Sequence, residues 1–597
     1  MTDAPHPARR ARRRFRSQDW FDNEERIDMT ALYLERFMNY GMTPEELRAG
    51  KPIIGIAQTG SDLNPCNRIH VDLIKRVRDG IRDAGGIPIE FPVHPTFENC
   101  KRPTAALDRN LAYLGLVELL YGYPIDAVVL MTGCDKSTPA CLMAAATVDI
   151  PAIVLSGGPM LDGWHEGQLA GSGLAIWKAR RALAAGEIDN DEFLRRAADS
   201  APSLGHCNTM GTALTMNSLA EVMGMSLPGC AAIPAPYRER GQMAYRTGLR
   251  VVDMAYEDLK PSDILSPATM RNAIVATSAL GGSTNAQPHI AAIAAHAGVP
   301  FDPFDWQRHG HDVPLLANVQ PAGAYLGERF HRAGGVSAIL WELLQAGRLD
   351  GSVMTVTGRN LAENVEGCQT TDREVIRSCA EPLMERAGFL VLRGNLFDFA
   401  IMKSSVISED FRARYLSRPG SEGVFEARAV VFEGADDYHQ RINDPALGID
   451  ENTILVIRGA GPLGWPGSAE VVNMQPPDEL IRRGITNLPT LGDGRQSGTS
   501  DSPSILNASP ESAAGGGLAW LRTGDTIRID VNAGTCDALV EEAEIARRRV
   551  VPPPVGPDKT PWQRIYRGTV NQLSEGAVIA EATAFQRIAR DMPRHNH

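Results

Sequence analysis

Residues Val128–Pro139 read VVLMTGCDKSTP. An apolar run stops at Gly133 and opens onto Cys134, Asp135 and Lys136, so a soft thiol, a hard carboxylate and an amine stand side by side. A short apolar run ended by glycine predicts a buried strand. In open α/β sheets ligands bind beyond the carboxyl ends of the strands, so three potential ligands at such an end mark a candidate site. Two readings stay open on these residues alone: a ligand cluster, or a buried cysteine beside a surface Asp–Lys pair.

The neighbouring segments repeat the pattern. Ile53–Ala57 predicts a strand, and the loop after it delivers Cys66. Leu73, Ile74, Val77 and Ile81 then recur at helical spacing until Gly85-Gly86. Ile87–Val93 predicts the next strand, followed by a loop with Glu98 and Cys100 and a helix near Ala105–Tyr121. The opening strand, Asp126–Gly133, leads into a helix from Thr138 to about Val148 and a further strand, Ala152–Leu155, which ends in SGGPM (156–160). This alternation predicts βα units around a parallel sheet. In SLGHCNTMGTALTMNSLAEVMG (203–224) Cys207 again precedes a helix, and the stretch from about 225 to 365 is mostly helical, broken by polar loops such as GGSTNAQPH (281–289). From Gly388 the texture changes to short β-rich runs, FLVLRG (389–394), RAVVFEG (428–434), TILVIRG (453–459) and TIRIDV (526–531). The expected organisation is an N-terminal α/β domain over residues 1–385 and a β-rich, barrel-like C-terminal domain with flanking helices over 386–597.

Composition narrows the class. The 597 residues, 43% hydrophobic and 22% charged, are too many for one ordinary core. A net charge of −12 argues against nucleic acid as the main partner. Arg9, Arg10, Arg12, Arg13, Arg14 and Arg16 cluster at the start and predict a solvated, partly disordered arm, and the polar ending PRHNH predicts a flexible tail unless a neighbouring subunit orders it. No apolar run approaches the roughly 18 residues of a membrane span, and no secretory signal is visible, so no membrane partner and a cytoplasmic location are expected. Nine scattered cysteines make a poor disulfide framework and read as reduced thiols or metal ligands.

Cys66, Cys134 and Cys207 lie far apart in the chain, so no local motif of the CxxC kind is present. Soft thiolates favour iron–sulfur clusters or zinc, and three of them leave a four-ligand site one short, the open position a Lewis acid needs. Glu98, Asp135 and Glu470 sit in polar or glycine-rich loops; carboxylates suit magnesium, although each taken alone also reads as a solvated loop residue. GAGPLGWPGSAE (459–470), the loop that carries Glu470, has glycines that allow close backbone approach. Lys136 as an ammonium cannot ligate a cation, and could do so only deprotonated or as a carbamate. LGDGRQSGTSDSPS (491–504) presents Ser497 and Thr499 on what is by composition merely a turn; a serine beside a divalent cation would be acidified enough to act as a base.

PCN around Cys66, TGCDKSTPA (132–140), GHCNTMGTA (205–213), GPLGWPGSAE (461–470) and GDGRQSGT (492–499) together resemble the iron–sulfur dehydratases of the IlvD/Edd family, in its sugar-acid branch. The resemblance implies that Cys66, Cys134 and Cys207 hold a [2Fe–2S] cluster with one open iron. It implies Mg²⁺ on Glu98, Asp135 and Glu470 with Lys136 as a carbamylated ligand, Ser497 as the base and Thr499 as a substrate contact. One departure matters: dihydroxyacid dehydratases carry an aspartate-glycine pair where this chain has Phe97-Glu98, so the role of Glu98 comes from the sugar-acid branch. The implied activity is dehydration of an aldonate to its 2-keto-3-deoxy acid. Through CNRIH, EFPVHPTFENC and AAIPAPYRERGQMAY the resemblance implies D-xylonate, with L-arabinonate or D-gluconate as alternatives, since no residue by itself reads stereochemistry. A homo-oligomer, dimer or tetramer, with the site near a dimer interface, is implied as well. Rival readings of the same thiols are a redox or sensor cluster, which would want four protein ligands and have no use for Ser497, and a zinc hydrolase.

Overall fold

The computed structural model describes residues 13–98, 100–548 and 555–595. Four strands, β1 (Ile53–Gln58), β2 (Ile87–Pro92), β3 (Ala127–Thr132) and β4 (Ala152–Ser156), form a parallel sheet in the order β2-β1-β3-β4. Every residue of β3 is buried. Helices cover both faces of such a sheet, so its central strand reads as the unbroken apolar run that opens the sequence analysis. The helix Ser137–Val148, which leaves the end of β3, is likewise buried along its whole length. The helices His70–Asp83 and Arg238–Glu257 cross where Gly80 meets Gly248. A Cβ on Gly80 would stand 2.1 Å from the Tyr245 carbonyl oxygen and one on Gly248 2.4 Å from that of Val77, so only glycine permits this crossing.

After a small hairpin, β5 (Trp164–His165) with β6 (Gln168–Leu169), and a largely helical stretch, the chain builds a second sheet. Its strands are β7 (Phe389–Leu392), β8 (Phe399–Lys403), β9 (Val424–Glu433), β10 (Thr453–Arg458), β11 (Thr490–Gly492), β12 (Ser504–Ser509), β13 (Thr526–Asp530) and β14 (Thr535–Ala538). They run in the order β14-β13-β9-β10-β11-β12-β8-β7, and a bridge from Arg393 to Thr535 draws the two edges together into a nearly closed barrel. Side chains alternate across each strand. Leu390, Leu392, Ala400, Met402, Ile454 and Val456 fill the barrel interior, whereas Phe389, Val391, Phe399, Ile401, Leu455 and Ile457 join the core that contains the parallel sheet. Both faces are therefore dry, and one apolar core runs through the two halves of the chain.

Strands β8, β11, β12 and β14 have no counterpart among the runs singled out in the sequence. β11 and β12 are short or rich in Ser and Asn, and only pairing with neighbours identifies them as strands. The basic arm is also different from expectation. Arg9, Arg10 and Arg12 lie outside the described residues, but Phe15 is buried against Tyr256 and the Arg16 guanidinium donates to the carbonyls of Leu120, Tyr121 and Ile125. A cation at the carboxyl end of the helix Ala105–Gly122 completes its terminal carbonyls, which is why this arginine packs instead of being solvated. In the tail, His595 reaches the Tyr33 hydroxyl at 3.0 Å, a contact within the same chain. Among the described residues no helix is long and apolar enough to cross a membrane.

Lys403, on β8, is buried with its Nζ 2.6 Å from the Gly281 carbonyl oxygen, and burial lowers its pKa to about 7. Between pH 7 and the ordinary lysine value the unfolded chain binds this proton and the folded chain does not, so the contribution of Lys403 to stability rises with pH across that window. Lys403→Met should raise the unfolding midpoint at pH 7 and flatten its rise toward pH 9.5 relative to the unsubstituted protein, as measured by thermal scans at one fixed rate.

Candidate active site

The carboxyl ends of the parallel strands point the same way, and each supplies part of one site. Cys66 follows β1, Glu98 follows β2, and Cys134, Asp135 and Lys136 follow β3. Asn67 ties the first loop to the third: its Oδ1 accepts from the Cys134 backbone N–H at 2.6 Å, and its Nδ2 donates to Thr59 Oγ1 at 2.7 Å and Ser137 Oγ at 3.0 Å. Gly133 is required there, since a Cβ would stand 2.6 Å from Asn67 Oδ1. Cys134 Sγ donates to Asp135 Oδ1 at 3.1 Å, and Lys136 Nζ donates to Asp135 Oδ2 at 2.8 Å. Asp135 thus stands between thiol and amine. Lys136 is fully buried and Asp135 nearly so, which removes the reading of these two as a surface pair.

The second half of the site arrives from the barrel-like sheet. Lys136 Nζ lies 3.2 Å from Glu98 Oε2, while Glu98 Oε1 accepts from Thr104 Oγ1 at 2.9 Å and from Arg495 Nη2 at 2.8 Å. The other arm of the Arg495 fork meets Glu470 Oε1 at 3.1 Å and Asn285 Oδ1 at 3.2 Å, and its Nε donates to the Ser468 carbonyl at 2.9 Å. Asn285 Nδ2 also donates to Glu470 Oε1, at 2.6 Å. Two successive residues in the left-handed region, Gly467 and Ser468, bend the chain just before Glu470. A cavity of about 500 Å³ is lined by Cys66, Cys134 and Cys207, by Glu98, Asp135 and Glu470, and by Ser497 and Thr499. Lys136 sits behind its wall, bonded to Asp135 and Glu98. All nine residues proposed from the sequence are brought together. Arg495, Asn285, Asn67 and Thr104 were not singled out; Arg495 lies inside GDGRQSGT and Asn285 inside GGSTNAQPH, so both were in view without a sequence signal for their partners.

Electrostatics follow from this packing. Burial raises the Glu98 carboxyl, but the charges of Lys136 and Arg495 outweigh it and hold the group down at about 2. Glu470 goes the other way, pushed up to about 7 by burial and by the neighbouring Glu98 charge. The Cys66 thiol is pushed well above its ordinary value by its hydrogen bond with Cys134, by burial, and by the proximity of Cys134 and Cys207. Burial likewise lifts Cys207 to about 11. Three thiols that sense one another, and three carboxylates neutralised only by two cations, are donor sets of opposite softness on one cavity. Among the described residues no three His, Cys, Asp or Glu side chains are grouped at the spacing of a single ion.

Comparison with known proteins makes the chain a dehydratase, an enzyme that removes water from a hydroxy acid. The chain belongs to the dihydroxy-acid/6-phosphogluconate dehydratase family, whose N-terminal profile matches residues 51–364 and whose C-terminal profile matches residues 374–577. This is a family of metal- and iron–sulfur-dependent enzymes. The chain is 72% identical to a D-xylonate dehydratase of Caulobacter vibrioides over 98% of its own length and 99% of that protein. It is 43% identical to an L-arabonate dehydratase of Azospirillum brasilense over 98% and 99% of the two chains. A dihydroxy-acid dehydratase of Caldanaerobacter subterraneus is 36% identical over 91% and 96%.

Arg495 joins two buried carboxylates, so its removal leaves Glu470 without its ion pair and Glu98 with Lys136 alone. Arg495→Met should destabilise the protein by about 3–5 kcal/mol, the usual cost of breaking a buried pair. Arg495→Lys, which keeps the charge but not the fork, should recover only part of the loss. Denaturant midpoints of the two variants measure both effects.

Proposed function

We propose that the protein dehydrates D-xylonate to 2-keto-3-deoxy-D-xylonate. The observation that carries this reading is the convergence of three thiols, three carboxylates and the Ser497 hydroxyl on one cavity, and the 72% identity to a D-xylonate dehydratase supports the choice of substrate over the L-arabonate named for the 43% relative. In this reading Cys66, Cys134 and Cys207 hold a [2Fe–2S] cluster. Glu98, Asp135 and Glu470 hold Mg²⁺, and Lys136 joins them as a carbamate, which would turn a donor to two carboxylates into an anionic oxygen ligand. When bound, the two groups supply Lewis acidity, the cluster at the departing C3 hydroxyl and Mg²⁺ at the carboxylate end of the substrate.

The chain's own residues do the rest. Deprotonated Ser497 takes the proton from C2 on its Oγ, and Thr499, 2.8 Å from it on the same cavity wall, contacts the substrate. Ser497 passes that proton to the departing C3 hydroxide, which leaves as water. The enol that remains moves its hydroxyl proton to C3 and becomes the 2-keto-3-deoxy acid. The same reading places the division between the two domains near residue 385 and takes the enzyme to be a cytoplasmic homo-oligomer. Among the described residues no cysteine is paired in a disulfide, in keeping with a reducing compartment.

Iron-loaded protein assayed with Mg²⁺ against D-xylonate, L-arabinonate and D-gluconate should show its highest kcat/KM on D-xylonate; a larger value for either competitor overturns the substrate assignment. Ser497→Ala should abolish turnover while leaving the visible absorption of the cluster intact. A variant that keeps most of its activity removes Ser497 from the role of base.

A further inference from the structure

The helix Leu174–Ala185 lies against the loop that carries Ser497. Trp177 and Arg181, four residues apart, share one face of it. Arg181 binds Asp501 through both arms of its guanidinium, at 3.0 and 2.8 Å, and Trp177 Nε1 donates to Thr499 Oγ1 at 2.9 Å. The approach is close enough to need glycine on two sides. A Cβ on Gly173, at φ +79°, would stand 2.3 Å from Thr499 Oγ1, and one on Gly211 2.8 Å from Thr499 Cγ2.

This contact sets one end of a hydrogen-bond chain. An indole N–H can only donate, so Thr499 Oγ1 is an acceptor toward Trp177. Thr499 Oγ1 still has its one hydrogen, and toward a deprotonated Ser497 Oγ, 2.8 Å away and without a hydrogen to give, it is the donor. The Thr499 backbone N–H points at the same oxygen, at 3.3 Å. Ser497 Oγ, once its own proton has left through the cavity, thus receives two hydrogen bonds. An oxygen that receives donors from two directions carries negative charge better than one that must donate. We propose that Trp177 is a positioning residue that acts through Thr499 to hold Ser497 as a hydrogen-bond acceptor, ready to take a proton. The proposal rests on the reading of Ser497 as the base.

Trp177→Phe keeps an aromatic ring in the cavity wall and removes only the donor, after which nothing holds or polarises the Thr499 hydroxyl toward Ser497. The expected result is a fall in kcat of about tenfold, the scale of one hydrogen bond, with KM unchanged, the visible absorption of the cluster unchanged, and a larger primary isotope effect on C2-deuterated substrate. Thr499→Val should cost at least as much, Thr499→Ser little, and Trp177→Phe should add nothing in the Thr499→Val background, because the chain is already broken. Undiminished kcat in Trp177→Phe overturns the proposal, as does a tenfold loss that persists on top of Thr499→Val, or a rise in KM at constant kcat, which would make Trp177 a substrate wall. If Trp177→Phe does not fold, Thr499→Val and Thr499→Ser still test the chain, and equal activity in the two overturns it. Ser497→Ala separates the two layers. If it retains turnover, the base assignment itself has failed; if it is inactive while Trp177→Phe is normal, only the chain from Trp177 has failed.

Discussion

Three carboxylates held out of water by two cations are the constraint around which the molecule is arranged. Asp135, Glu98 and Glu470 alternate with Lys136 and Arg495 in one buried chain of ion pairs. Moving charges of this kind from water costs several kcal/mol each unless every one meets a partner, and a well-packed apolar cluster would be at least as stable. Such a network is therefore poor ballast and is explained by what it does for the cavity. Its demand on the fold is strict: Glu98 and Arg495 are separated by 397 positions in sequence yet meet at 2.8 Å. Only a shared, continuous core beneath both sheets can keep that registry, and the apolar faces of β7, β8 and β10 supply it by packing into the same interior as β1, β3 and β4.

The parallel sheet and its cysteine-bearing loops are legible in sequence because both depend on local features. Apolar runs end at Gly133 or Gly60, helices begin just beyond, and Cys66, Cys134 and Cys207 fall in between. The barrel is half legible: runs such as TILVIR announce a buried strand, whereas the three residues of β11 carry no pattern of their own. Residues whose role is to answer another residue are the least visible. Asn285 finds Glu470 across 185 positions and Arg495 across 210, and nothing in GGSTNAQPH or GDGRQSGT announces those meetings. Arg16 shows the same limit from the other direction. A run of arginines reads as solvated, and the carbonyls that hold this one belong to a helix about a hundred residues downstream.

Within the C-terminal half, Glu470 and Ser497 are carried by loops that behave as one body. Arg495 N–H donates to the Ala469 carbonyl at 2.9 Å and the Val472 N–H to the Arg495 carbonyl at 3.1 Å, a strand-like zipper between the two loops. Asp493, buried, accepts from the backbone N–H groups of Gly459, Ala460 and Ser512, which anchors both loops to the ends of β10 and β12. In the N-terminal half Asn67 does the same for Cys66 and Cys134. Distances within each set are thus fixed locally. The distance between the sets is fixed by a few contacts across the cavity, of which Glu98 with Arg495, Trp177 with Thr499, and Arg181 with Asp501 are charged or directional. Apolar packing sets how closely the halves approach but is tolerant of small rotations, whereas a guanidinium fork and an indole N–H are not. The polar contacts across the cavity therefore carry the orientation of Ser497 relative to the thiols, and the burial that makes them costly to break also makes that orientation rigid.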